Sequence, residues 1–131
     1  MNNKILIIEN DANLLAGLQA KFSVEGFSVH IDIGNNKDDC LKKVAQFQPN
    51  YIILDLILPC LDYFTLLTDL KSNQQASDIL VFIYSNLSDE DTRARCKNLG
   101  VDYCLVKIEF SLDDFVTKIK KIIANRRKLG S

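Results

Sequence analysis

Asp55 closes the apolar run Tyr51-Ile52-Ile53-Leu54 and is followed at once by Leu56, Ile57 and Leu58. A carboxylate in such company is expensive to desolvate unless a cation, a hydrogen bond or a chemical task accounts for it. Three other apolar runs end on polar residues. Glu9 and Asn10 follow Lys4-Ile5-Leu6-Ile7-Ile8, Ser85 follows Ile79-Leu80-Val81-Phe82-Ile83-Tyr84, and Lys107 follows Tyr103-Cys104-Leu105-Val106. If these runs are parallel strands of one sheet, their polar ends share an edge. Glu9 and Asp55 then repel each other unless a cation stands between them, and their hard oxygens suit Mg²⁺. Asn10 adds a neutral carbonyl oxygen. Lys107 is a point charge able to pair with Asp55 or with an anion attached to it, and Ser85 supplies a hydroxyl. Such a set is equipped to accept a phosphoryl group: the carboxylate attacks, and the cations neutralise charge on the transferring oxygens.

Strand and helix signals alternate along the chain in a way that places these ends together. Asp11 caps a first helix carrying Leu14, Leu15, Leu18 and Phe22, which Gly26 ends. Phe27 to Ile33 alternates like a strand near a sheet edge, and Gly34-Asn35-Asn36 is a turn. A second helix is expected over about Lys37 to Phe47, stopped by Pro49, and a third after Asp62, with Leu66, Leu67 and Leu70 on its apolar face. Ser88 with Asp91 reads as a capping box for a fourth helix closed by Gly100. Ser111 with Asp114 repeats the pattern before a stripe of Leu112, Phe115, Val116, Ile119, Ile122 and Ile123. Five βα units with short connections predict a parallel sheet covered by helices on both faces, and right-handed crossovers make it doubly wound. Its ligand crevice lies at the carboxyl ends of the strands, where Glu9, Asn10, Asp55, Ser85 and Lys107 fall.

With 131 residues, the chain is long enough for one domain that buries roughly two thirds of its unfolded surface. A net charge of −1 argues against a global field for nucleic acid or an anionic membrane. No stretch resembles a signal peptide or approaches the roughly 20 apolar residues of a membrane span, so a cytoplasmic location is expected. Cys40, Cys60, Cys96 and Cys104 form no CxxC pair, and His30 stands alone in a strand-like stretch, which predicts packed thiols rather than a zinc site. The basic stretch Lys118 to Lys128 reads as the wet face of the last helix.

Other chemistries known on such sheets fit less well. A flavin-phosphate site wants a hydroxyl- and glycine-rich loop after the first strand, where this chain has Glu9-Asn10-Asp11. Aspartate-nucleophile phosphatases carry a second Asp two residues on, a position held here by Ile57. Neither GxGxxG nor GxxxxGK[ST] is present.

Taken in order, Ile5-Leu6-Ile7-Ile8-Glu9-Asn10-Asp11, Ile53-Leu54-Asp55-Leu56-Ile57-Leu58-Pro59, Tyr84-Ser85-Asn86 and Leu105-Val106-Lys107 resemble the receiver domains of two-component response regulators, from about Lys4 to Ile123. The resemblance implies an α/β, flavodoxin-like or CheY-like fold: a doubly wound five-stranded parallel sheet of order 2-1-3-4-5. It implies Asp55 as phosphoacceptor, Ser85 as the switch hydroxyl and Lys107 as the partner of the phosphoryl group. Glu9, Asn10, Asp55 and the Ile57 carbonyl would hold Mg²⁺. Residues 1–124 would form the receiver and 125–131 a basic C-terminal tail. The implied donor is a sensor histidine kinase or phosphotransfer protein, and the implied output is altered affinity for a downstream effector protein. No metabolite is turned over, no membrane or nucleic acid is bound directly, and a homodimer through the last two helices is a further implication. The alternative is a pseudo-receiver, a protein-interaction module that works without phosphorylation.

Four departures from the family pattern carry expectations of their own. Asn10 stands where Asp is usual and removes one charge from the metal site. Tyr63 replaces a customary Gly, which would strain any backbone requiring positive φ. Ile108 follows Lys107 where Pro is common, making a cis bond there improbable. Cys104 takes the place of an aromatic that swings inward on phosphorylation, and Tyr103, one residue earlier, faces the other side of the sheet. Any output switch is therefore expected to rely on Ser85 and the fourth helix.

Overall fold

The computed structural model describes residues 2–101 and 103–130, the last two by backbone alone. Met1 and Ser131, the outer limits of the two predicted segments, lie outside them. The elements run β1 (Lys4–Ile8), α1 (Ala12–Val24), β2 (Ser28–Asp32), α2 (Lys37–Phe47), β3 (Tyr51–Leu54), α3 (Tyr63–Ser72), β4 (Leu80–Ser85), α4 (Glu90–Asn98), β5 (Tyr103–Val106) and α5 (Leu112–Gly130). All strand pairings are parallel, in the order β2-β1-β3-β4-β5, as the resemblance implies. β2 stands at an edge and alternates between wetter and drier residues, whereas β1 and β3 are almost wholly buried.

Because successive strand residues face opposite sides, the apolar runs feed two separate cores. Leu6, Ile8, Ile52, Leu54, Val81 and Ile83 pack on one face with α2, α3 and Cys96 of α4. Ile5, Ile7, Ile53, Phe82, Tyr84 and Leu105 pack on the other with Leu15, Leu18 and Phe22 of α1 and Phe115, Val116, Ile119 and Ile123 of α5. Each fully buried side chain of this size contributes about 1.5–3 kcal/mol. The helices of the second face come close together: a Cβ on Gly17 would stand 2.8 Å from Cδ2 of Leu112. A side chain at Gly17 would require the end of the Leu112 side chain to shift.

Local signals explain most element ends. The side chains of Asp11, Asn36 and Asp62 accept backbone N–H bonds at the starts of α1, α2 and α3. Gly26 (φ +92°) and Gly100 (φ +87°) follow α1 and α4 in the left-handed region that a side chain would resist. α4 corrects the reading of its cap: Asp89, not Ser88, accepts from Thr92 N, and the same spacing brings the Asp89 side chain against the buried Thr92 hydroxyl. Tyr63 is the first residue of α3 and needs no positive φ, which among the described non-glycine residues occurs only at Gln48. No cis peptide occurs among the described residues, the Lys107–Ile108 bond included. Residues 125–130, read as a tail, continue α5 as helix.

Candidate functional site

The ends of β1, β3 and β5 converge on one buried ion cluster. Parallel pairing of β1 with β3 sets Ile8 beside Leu54, so Glu9 and Asp55 leave the sheet side by side. The backbone holds them there: Asp55 N donates to the Ile8 carbonyl at 3.1 Å and Glu9 N to the Asp32 carbonyl at 3.0 Å. Both carboxylates are buried, Glu9 being 3% and Asp55 5% exposed. Lys107 Nζ reaches between them, 2.6 Å from Glu9 Oε1 and 2.8 Å from Asp55 Oδ2. The other carboxylate oxygens are also used. Glu9 Oε2 accepts from Asp11 N at 2.9 Å and Asp55 Oδ1 from Ile57 N at 3.0 Å.

This arrangement offsets the cost of burying two like charges. The ammonium hydrogen-bonded to both supplies the countercharge that each carboxylate would otherwise lack. The effect on Lys107 is reciprocal. Burial alone would lower its pKa, but the hydrogen bonds it donates to Asp55 and Glu9, with their charges, outweigh it and hold the ammonium above its ordinary value of 10.5.

Ser85 ends β4 with its side chain buried, and its Oγ accepts from Leu87 N at 3.2 Å. The hydroxyl thus shapes the β4–α4 connection rather than bonding Asp55. Asn10 is exposed in the β1–α1 connection, and the Ile57 side chain is 56% exposed. The structure therefore brings together Glu9, Asp55 and Lys107, with Ser85 at the neighbouring strand end and Asn10 and Ile57 flanking. By donor type the set fits a hard cation, since two buried carboxylates, an amide and a backbone carbonyl all offer oxygen. No cluster of three His, Cys, Asp or Glu side chains capable of holding a metal occurs among the described residues.

Two contributors escaped the sequence reading. Tyr84 lies under the lysine, with Lys107 Nζ 5.9 Å from its ring centre, and it stacks on Phe115 with centroids 3.7 Å apart. Burial pushes its phenol pKa up, Glu9 adding to the shift and Lys107 opposing it. Asn86 accepts from Ile108 N at 3.0 Å through its side-chain oxygen, tying the β4–α4 connection to the 3-10 turn Lys107–Glu109. The apolar run that Tyr84 closes signalled burial, but nothing in a string of residues could pair Asn86 with Ile108.

Comparison with known proteins agrees with this architecture. A family model described as response regulator receiver domain matches residues 5–120. Among curated proteins, the chain is 28% identical over 123 residues to the transcriptional regulatory protein PrrA of Mycobacterium leprae, covering 94% of this chain and 51% of that protein. It is 26% identical over 120 residues to the DNA-binding dual master transcriptional regulator RpaA of Synechocystis, covering 92% and 48%. The chain thus spans about half the length of the curated relatives it matches. Among solved structures, a CheY-like response regulator receiver domain protein from Methanospirillum hungatei superposes with a TM-score of 0.84 at 21% identity, covering 99% of this chain and all of that one. The signal receiver domain of a DNA-binding response regulator from Colwellia psychrerythraea gives 0.80 at 22% identity, covering 93% and 98%. Asp55, Lys107 and Ser85 stand at strand ends of this same fold, and the chain belongs to the response regulator receiver domain family.

Proposed function

We propose that the chain is a phosphoacceptor switch in which Asp55 takes a phosphoryl group from a histidine of a sensor kinase or phosphotransfer protein. The observation that carries this reading is the ammonium of Lys107 lying between buried Asp55 and Glu9. In the proposed step an Asp55 carboxylate oxygen bonds to phosphorus as the P–N bond of the donor imidazole breaks. Lys107, already on Asp55 Oδ2, follows the new anion, and the Ser85 hydroxyl turns from Leu87 N toward a phosphoryl oxygen. Glu9, Asn10, Asp55 and the Ile57 carbonyl would hold Mg²⁺, which supplies charge neutralisation to the transferring oxygens. The phosphorylated state would favour another arrangement of the β4–α4 and β5–α5 connections and so change affinity for an effector protein. Residues 1–124 suffice for this switch in our reading, with 125–131 as a basic extension. No helix among the described residues is long and apolar enough to cross a membrane, in keeping with a water-phase encounter between donor and acceptor.

A pseudo-receiver is the competing reading, and the observation favouring it is the same cluster: Lys107 satisfies both acids, and Asn10 contributes no charge. Incubation with acetyl phosphate and Mg²⁺, followed by intact mass measurement beside Asp55→Asn, separates the two. A phosphoryl-mass gain in the parent alone is the expected outcome. No gain in either protein would establish the pseudo-receiver, and steady phosphate release from varied substrates would mark an enzyme instead.

A further inference from the structure

Lys107 must project its ammonium from the end of β5 to acids at the ends of β1 and β3, so the backbone that carries it matters. The last register pair of β4 and β5 is Ser85 with Val106. Lys107 therefore begins where the pairing stops, as the first residue of a three-residue 3-10 turn. That turn has little of its own to hold it. Its internal bond runs from Phe110 N to the Lys107 carbonyl at 3.2 Å, no side chain caps its start, and none of its residues is buried. The Ile108 side chain is 84% exposed and offers no packing as an anchor. What holds the turn from outside is Asn86, one residue past β4, whose Oδ1 accepts from Ile108 N at 3.0 Å. A side-chain oxygen thus extends the strand pairing past its last register pair, taking the place of a backbone carbonyl. Lys107 is fixed on both sides, by Val106 in the sheet and by Ile108 on Asn86. The residue before Asn86 steadies the same connection, because Ser85 is buried and its Oγ accepts from Leu87 N at 3.2 Å.

We infer that Asn86 is a positioning residue for Lys107: by holding the Ile108 N–H it fixes the turn that presents the ammonium to Asp55 and Glu9. Lysine is a point charge on a flexible four-carbon stem, so its reach is set by where its backbone stands. With the turn fixed, Nζ lies 2.6 Å from Glu9 Oε1 and 2.8 Å from Asp55 Oδ2. With the turn loose, the same stem samples positions in which one or both contacts are lost, and a small misplacement of a charged group is costly to a transfer step. Asn86 is exposed, so deleting its amide weakens the lysine's hold on the acids without opening the core. What concerns phosphoryl transfer rests on Asp55 being the phosphoacceptor; what concerns the ammonium does not.

The test follows the Lys107 ammonium by NMR in the full chain, its signal assigned by its loss in Lys107→Met. The parent should give a protected ammonium resonance, because Nζ is hydrogen-bonded to two buried carboxylates. Asn86→Ala should speed exchange of that ammonium and of the Ile108 amide with water by about fivefold or more, as expected for one lost hydrogen bond. It should slow labelling of Asp55 by acetyl phosphate and Mg²⁺ by a similar factor. Amides in the middle of β1 and β3 should keep the parent's rates, which separates a displaced lysine from a loosened fold. Ile108→Pro, which has no N–H to give, should act in the same direction, and the double variant should be no worse than the worse single one. A parent-like ammonium signal in Asn86→Ala would overturn the inference, as would additive losses in the double variant or faster exchange spread evenly over β1 and β3. Unchanged labelling of Asn86→Ala beside a parent that is labelled would overturn it as well. Should acetyl phosphate label neither protein, the phosphoacceptor reading fails, and the ammonium signal with the Ile108 amide still decides the role of Asn86.

Discussion

The two faces of the sheet are built from different materials. The α1/α5 face is aromatic: Phe22 meets Phe27 and Phe115 edge-on, Phe82 lies between Tyr51 and Tyr103, and Tyr84 stacks on Phe115. The α2–α4 face is aliphatic and ends, toward β5, in Thr92, Cys96 and Cys104. Aromatic side chains carry large buried areas and preferred mutual geometry, so the first face resists sliding. Small polar and sulfur groups carry neither, so α4 is the helix most easily displaced. The difference assigns rigidity to one side of Asp55 and adaptability to the other. Tyr103 and Cys104 mark the boundary, adjacent in sequence and turned to opposite faces.

Mutations that attack each face should separate these roles. Phe115→Ala, which removes a fully buried ring from the aromatic face, should cost about 3–5 kcal/mol in urea unfolding and loosen α5 and α1 together. Equal loosening of α4 in hydrogen exchange would erase the distinction between faces. Lys107→Met, at the ion cluster between them, should cost about 3 kcal/mol at neutral pH, because two buried carboxylates lose their shared cation. Its pH dependence has a definite sign. The folded pKa of Lys107 is raised, so its contribution is complete below the unfolded value of 10.5 and fades as pH rises through the folded value. The stability difference between parent and Lys107→Met should therefore stay level from neutrality to 10.5 and shrink as pH rises from there through the folded value. Thr92→Val on the adaptable face should be mildest, about 1 kcal/mol, because it removes the 2.5 Å hydrogen bond to Asp89 while keeping the volume. Its effect on amide exchange should stay within α4.

Much of the fold was legible because burial wrote itself into periodicity. The bounds Lys37–Phe47 of α2 and Tyr103–Val106 of β5 match the expected spans, as do the caps at Asp11 and Asp62. α4 was harder, because Ser88/Asp91 and Asp89/Thr92 share the same spacing, and only packing against the sheet selects the second. Glu9, Asp55 and Lys107 were legible as a set because each terminates a strand, and parallel strands bring their ends to one edge. Asn86 with Ile108 and Tyr84 beneath Lys107 were not legible. Each is a meeting of two elements whose relative rotation no local pattern records.

The three-residue turn Lys107–Glu109 begins with the ammonium that holds both acids and is pinned at its second residue by Asn86. Electrical attraction and mechanical linkage therefore share one short strap. A tug on the lysine head from any new anion is relayed within a single peptide unit to the connection leading into α4, with no side-chain rotation needed along the way.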